Sequence, residues 1–365
     1  MARSRFEPDA STLAQGPRGD ARSARTTRTA AMSMASDPPR GAVVLVLVVA
    51  LVLMLAFAFF YVGAFHDPTP HHVPIAVVGP PGTEAQLNHL PGTPLDARRA
   101  SSRLDALSQI DDRKVYGAYD AATNQLFVAS AANRATAIAL ERTFELAAAA
   151  RGAPAVRVTD VKPLPAADPN GTASFYAVIA WVFGGYIGST LIGLLGSPRD
   201  SSRRRAAERV GALALFSIVA GILSVVVLRA SFDVLSGHVV ELCGVAALTI
   251  FASGAATAGI QSAAGPAGTG LVILLFVILG NSASGGPFAR PLLPGFWRTI
   301  GGVLPPGASV DLARSTLFFD GQRIAGPIAV LVVWAVVGTL LALALGGRVM
   351  NPADTEAAAA AGAAV

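Results

Sequence analysis

A membrane-length apolar run leaves a chain few choices, because backbone N–H and C=O groups entering hydrocarbon must find partners inside the protein. Six runs here are long enough or nearly so, at 43–64, 174–196, 210–228, 239–260, 268–280 and 325–345. The hydrocarbon core they face is about 30 Å thick, which takes roughly 20 helical residues to cross. Hydrophobic residues make up 53% of the chain and charged residues 14%, and the apolar ones are gathered into charge-free stretches. The expected fold is an α-helical polytopic membrane protein with six transmembrane helices. A small α+β extracytoplasmic domain would fill 65–173, between the first helix (42–64) and a membrane domain of five helices at 174–346.

Arginine sets the expected orientation. Seven arginines precede the first run, and Arg199, Arg203, Arg204, Arg205 and Arg209 fill the link between the second and third. Short Arg-rich flanks stay in the cytoplasm, so both termini are placed there and the chain is read as a multi-pass protein of the plasma membrane. Residues 1–41, rich in Ser, Thr, Ala and Pro without apolar periodicity, read as a disordered cytoplasmic arm, and 347–365 as a disordered tail. Met32 and Met34 are further start positions. The first run is too long for a signal-peptide core and no convincing cleavage site follows it, so it is expected to remain as an anchor. Arg outnumbers Lys 26 to 2 beside abundant Ala and Gly. This reads as the codon bias of a GC-rich, actinobacterial-type genome, and the net charge of +5 is not taken as a sign of nucleic-acid binding.

Within 65–173 the pattern alternates. Strands are expected at 75–78, 115–119, 125–130 and 156–161. Helices are expected at 97–109, with Ala100, Leu104 and Leu107 on one face, and from an Asn133 cap to Arg151, with Ala137, Leu140, Phe144 and Ala148 buried. That order is β-α-β-β-α-β, a split βαβ arrangement. His66, Asp67, His71 and His72 lie close in sequence, but the intervening prolines favour an extended linker and no second ligand cluster converges on them, so no metal site is expected. Asn170-Gly171-Thr172 fits either a glycosylation acceptor or a turn, with the turn favoured.

The fifth run stops short and passes into a Pro- and Gly-rich stretch, 281–324. Irregular backbone at membrane depth is tolerated only where protein or a water-filled cavity covers it. Here an interfacial helix anchored by Trp297 is expected, ended by Pro305-Pro306-Gly307. A second short helix at 310–319 would turn Asp311 and Arg314 toward water or each other. Pairs of small residues four apart, Gly184 with Gly188, Ser189 with Gly193 and Ala255 with Gly259, suggest close helix packing.

Catalytic and energy-coupling signatures are missing from the sequence. Neither Lys114 nor Lys162 follows a glycine, which excludes a Walker A phosphate loop. Glu241 is the one acid near a run, within a turn of its end, where it reaches the interface or pairs with Arg229. Lone Cys243 supports no disulfide framework, and there is no GxSxG or HExxH. The chain is not expected to be an enzyme or to hold a cofactor.

Two stretches, DVKPLPAADPNGTASFYAVIAWVFGGYIGSTLIG and GPAGTGLVILLFVILGNSASGGPFARPLLPGFWRTIGGVLPPGASVDLARS, together with the layout of one span, a domain and five spans, resemble the ABC-2 type transporter permease superfamily. The branch resembled holds phage-infection-protein-like and nitrosoguanidine-resistance-like membrane proteins. The resemblance implies a homodimeric subunit exporting amphiphilic or toxic compounds, driven by a separate ABC ATPase. It implies an outer gate at 281–314, carried by Asn281, Gly285, Gly286, Trp297, Arg298, Pro305, Asp311 and Arg314, and an ATPase-facing loop with Arg199, Arg203, Arg204 and Arg205. The amphipathic helix that often precedes the first span in such permeases has no counterpart at 20–36. The alternative is a non-transporting envelope protein whose external domain binds a partner, a cell-wall component or a phage.

Overall fold

The computed structural model describes residues 40–194, 203–265 and 267–345. Among these, five helices are long and apolar enough to cross a membrane: α1 (Arg40–Phe65), α5 (Ala173–Leu194), α6 (Arg203–Phe232), α7 (Val239–Ala264) and α11 (Ala325–Leu345). The fifth apolar run departs from the expected six. It forms α8, Ala267–Ala283, a helix of 17 residues that spans about 25 Å at most, and its Ile273–Gly280 stretch is wound as π-helix, which shortens it further. The side chains at 43–52, in a unit of their own, are all exposed.

Between α1 and α5 lies a five-stranded mixed sheet in the order β2-β1-β3-β4-β5, formed by β1 (Val73–Val78), β2 (Leu95–Arg99), β3 (Gly117–Asp120), β4 (Gln125–Val128) and β5 (Arg157–Asp160). The helices are α2 (Thr83–Asn88), α3 (Arg103–Asp111) and α4 (Arg134–Ala150). Strand β1 pairs directly with β3, and β4 with β5, both parallel, while β3 and β4 form an antiparallel hairpin. The split arrangement is therefore corrected: no strand separates either parallel pair, and an additional α2–β2 unit extends the edge beyond β1. Residues 97–99, expected to open a helix, belong to strand β2 (Leu95–Arg99). Helix α3 starts only at Arg103, capped by Ser102, and buries Ala106 and Ile110, leaving Leu104 80% exposed. Helix α4 begins as its sequence suggests, with Asn133 Oδ1 accepting from the Thr136 N–H at 3.0 Å.

Alternation along β1 sends Val73, Ile75 and Val77 to one face and Ala76 to the other. The first face packs with Leu87, Leu140 and Phe144, the second with Ala106, Ile110 and Phe127. Each core is completed from outside the domain, by Leu292 on the first face and Phe319 on the second. Apolar burial thus fastens the sheet to the segment that follows α8.

In the membrane part α7 is central, packed by α5, α6 and α11, and small residues set its approaches. A Cβ on Gly185 would lie 2.3 Å from the Ile250 carbonyl oxygen, and one on Gly259 2.7 Å from that of Gly338, while Gly184 has nothing within 4 Å. Of the expected pair, Gly188 is at a close contact, 2.7 Å from Phe216 for an added Cβ, and Gly184 is not; the face of α5 against α7 runs through Gly185 instead. Glu241 is exposed in the first turn of α7, where it complements the helix dipole.

Candidate functional site

The stretch between α8 and α11 folds as a hairpin of two short helices, α9 (Gly295–Gly301) and α10 (Pro305–Phe318). Its position follows from two contacts. Trp334 Nε1 donates to the Val303 carbonyl at 2.8 Å, and Trp334 lies nine residues into α11, about 14 Å from its start. Thr249, ten residues into α7, donates to Ser309 Oγ at 3.0 Å. The tip at 302–304 therefore packs about 14 Å along α11 from its first residue, near the middle of that helix. The short helix expected around Trp297 forms as α9, which sets Trp297 edge-on to Phe60 and against Gly63 and leaves Phe296 51% exposed; the backbone around Gly301 and Gly307 lets α9 and α10 come very close. Pro305 and Pro306 do not merely end α9. They form the buried first turn of α10, where a missing N–H costs nothing.

Backbone stacks on backbone through the hairpin. A Cβ on Gly301 would lie 1.9 Å from the Ala283 carbonyl oxygen, and one on Gly307 1.8 Å from that of Gly301. Gly285 adopts φ +80°, a left-handed conformation that suits glycine, and turns the chain out of α8. Arg314 is buried and holds this turn, donating to the carbonyls of Gly285 at 2.8 Å and Gly286 at 2.6 Å. Asn133, the cap of α4, donates to the same Gly286 carbonyl at 3.2 Å, which binds the sheet domain to the break in the membrane part. Beside these groups a cavity of about 100 Å³ is walled by Arg314, Asn133, Thr172 and Phe175.

Asp311 and Arg314 do not pair with each other. Asp311 is held by Arg290 and lies 3.6 Å from Arg113 of the sheet domain, whose guanidinium also donates to the Asp311 carbonyl at 2.8 Å and to Ser315 at 2.6 Å. Burial, then the Asp311 charge, raises the neighbouring Tyr116 phenol above its ordinary pKa. Arg290 and Arg113 had no motif to mark them. Arg298 reaches only the His71 carbonyl, at 3.5 Å. Asn281 is buried at the end of α8 and its Oδ1 has no partner among the described residues, nor has Trp297 Nε1. A largely apolar cavity of about 260 Å³ between α5 and α8 is lined by Asn281, Phe183, Tyr186 and Phe276.

At the opposite end of the bundle, Arg209 Nη2 donates to the Ser189 carbonyl at 2.8 Å and to Gln261 Oε1 at 3.0 Å. Gln261 Nε2 in turn donates to Thr190 and Thr269, so one side chain ties α5, α6, α7 and α8. Arg199 lies outside the described residues. Arg203, Arg204 and Arg205 are not in a loop as expected: they form the first turn of α6, where Arg204 donates to Glu208 at 3.0 Å. His66 and His71 bond to nearby carbonyls, and among the described residues no three His, Cys, Asp or Glu side chains group as metal ligands. Gly171, at φ +66°, makes the 168–171 stretch a turn, its N–H donating to the Asp168 carbonyl.

These elements make a helix bundle with five helices long and apolar enough to cross a membrane, a hairpin of two short helices packed into it, and an α/β domain clamped onto it. Comparison with protein-family models, with curated proteins and with solved structures returns no match to the chain.

Proposed function

We propose that the chain is a permease-like membrane subunit in which α9 and α10 form a gate on the side of the sheet domain. The observation that carries this reading is the hairpin itself, whose tip packs against the middle of α11. A simple anchor has no use for irregular backbone at membrane depth, whose cost is met only by dense surrounding packing. The apolar cavity ending on Asn281 suits an amphiphilic cargo. Clamping through Leu292, Phe319, Arg113 and Asn133 would let movement of the domain reach the hairpin. In this reading α8, though short, makes the sixth crossing, the sheet domain is extracytoplasmic and the termini are cytoplasmic. The chain is a homodimeric, non-enzymatic subunit, and a separate ATPase supplies the energy because the sequence has no phosphate loop.

Purification in mild detergent, with a search for a co-eluting nucleotide-binding subunit, tests the energy source. A deletion strain tests export: loss of resistance to amphiphilic toxicants is expected, and unchanged sensitivity with no associated ATPase would sink the reading. The competing role, an envelope protein whose domain binds a partner, draws on Leu104 and Leu146, exposed by 80% and 72%. They project from helices on opposite faces of the sheet and form no single patch, so the permease reading is preferred.

A further inference from the structure

A third cavity, of about 460 Å³, lies where the sheet domain meets the start of α11. Its wall carries Arg113, Lys114, Arg290 and Arg323 against a single carboxylate, Asp311. Arg113 and Arg290 are engaged with Asp311. Among the described residues Arg323 Nη1 bonds a neutral group, the Arg113 carbonyl, at 3.1 Å and no carboxylate, and Lys114 pairs with Asp112 at 2.8 Å on an exposed surface. Even with Asp112 counted, positive charge is in excess by two. The first turn of α11 completes the wall through Ala325, Gly326 and Pro327, adding the positive end of a helix dipole.

Helical periodicity shows what lies beneath. Residues seven and eleven positions after Ala325 and Gly326 share their face of α11. These are Val332, Val333, Val336 and Val337, and all four are exposed apolar side chains. A basic cavity therefore sits at the head of an uncovered apolar stripe on a membrane-crossing helix, which is the shape of an anionic lipid: phosphate above, acyl chain below.

We propose that this cavity binds the headgroup of an anionic glycerophospholipid from the leaflet on the sheet-domain side. Arg323 and Lys114 meet the phosphate, and the acyl chains lie along the valine stripe of α11. The volume suits a phosphoglycerol group better than a bare ion. The proposal goes beyond the permease reading and holds whether or not the chain transports anything.

The test uses the full-length protein in mild detergent, titrated with short-chain phosphatidylglycerol, with phosphatidylcholine and with free glycerol phosphate, reading the thermal midpoint and lipid retention by native mass spectrometry. Phosphatidylglycerol is expected to bind and stabilise, and the other two much less. Lys114→Gln and Arg323→Gln should each weaken it roughly five-fold, the effect of removing one basic residue beside an anionic lipid surface. The pair Arg142→Gln and Arg151→Gln, on exposed positions of the domain, should leave affinity unchanged. Equal stabilisation by phosphatidylcholine, or an equal loss in the control pair, overturns the site. Stabilisation by glycerol phosphate as strong as by the lipid overturns the membrane source. Lys114→Gln alters only an exposed pair, so unchanged affinity in this variant refutes the assignment even if Arg323→Gln fails to fold.

Discussion

Replacing Gly301 by alanine probes the hairpin where its geometry is tightest. The added methyl would sit 1.9 Å from the Ala283 carbonyl oxygen, against an ordinary contact that begins near 3.4 Å, so the two segments must part by about 1.5 Å. The obstruction is backbone, and no rotamer change relieves it. Overpacking in a filled interior costs about 1–3 kcal/mol, and this contact belongs at the upper end. Gaining alanine in place of glycine at a helical position returns at most about 1 kcal/mol. The expected net loss is about 2 kcal/mol, together with loosening of the turn at Gly285. The assay is the thermal midpoint of the purified protein, with tryptic cleavage after Arg298 followed in parallel. Gly184→Ala, whose methyl would meet nothing within 4 Å, is the matched control and should be neutral or slightly stabilising. If Gly301→Ala melts with the control and is cleaved no faster, the close-packed hairpin is wrong.

Arg314→Met should cost about 2–4 kcal/mol, since it removes two charge-assisted bonds and leaves the Gly285 carbonyl buried without a partner, while Asn133 still serves Gly286. A thermal midpoint within a degree of wild type would contradict that role. Gln261→Leu removes three hydrogen bonds at the opposite end of the bundle and should lower stability by about 2–3 kcal/mol; chemical denaturation that gives an unchanged midpoint would show the side chains re-pairing elsewhere. Asp120 reports on pH. Desolvation by itself raises its pKa, but hydrogen bonds from Arg103, Thr123 and the Ala122 N–H outweigh it and hold the carboxyl below its ordinary value. A carboxylate lowered on folding contributes stability that is fully present above its unfolded pKa of about 3.9, and loses it as pH falls through the folded value. Asp120→Asn should therefore flatten the acid limb of the stability profile, and an identical limb in both proteins would refute the coupling.

Residence in a membrane was legible in the sequence because it depends on local composition: a charge-free run of sufficient length needs no knowledge of its neighbours. The same holds for the Asn133 cap, whose bond closes within three residues, and for the interruption after the fifth run, announced by Pro287, Pro291 and Pro294. Errors arose where a local signal left two outcomes open. Residues 97–99 read as the start of a helix, yet they pair in register with Ile75–Val77, and that ladder decides. Gly184 and Gly185 are indistinguishable as letters, and only the approach of α7 selects the second.

Hydropathy and punctuation thus determined that this chain carries several helices of membrane-crossing length, an α/β insertion and a break in its fifth apolar run. The tertiary structure alone decided that the broken stretch packs against the middle of α11, that Leu292 and Phe319 complete the sheet domain's two cores, and that Arg113 meets the carbonyl of Asp311, 198 residues away. Periodicity and capping act within a few residues, whereas docking, closure and charge pairing depend on partners that the chain brings together only by folding.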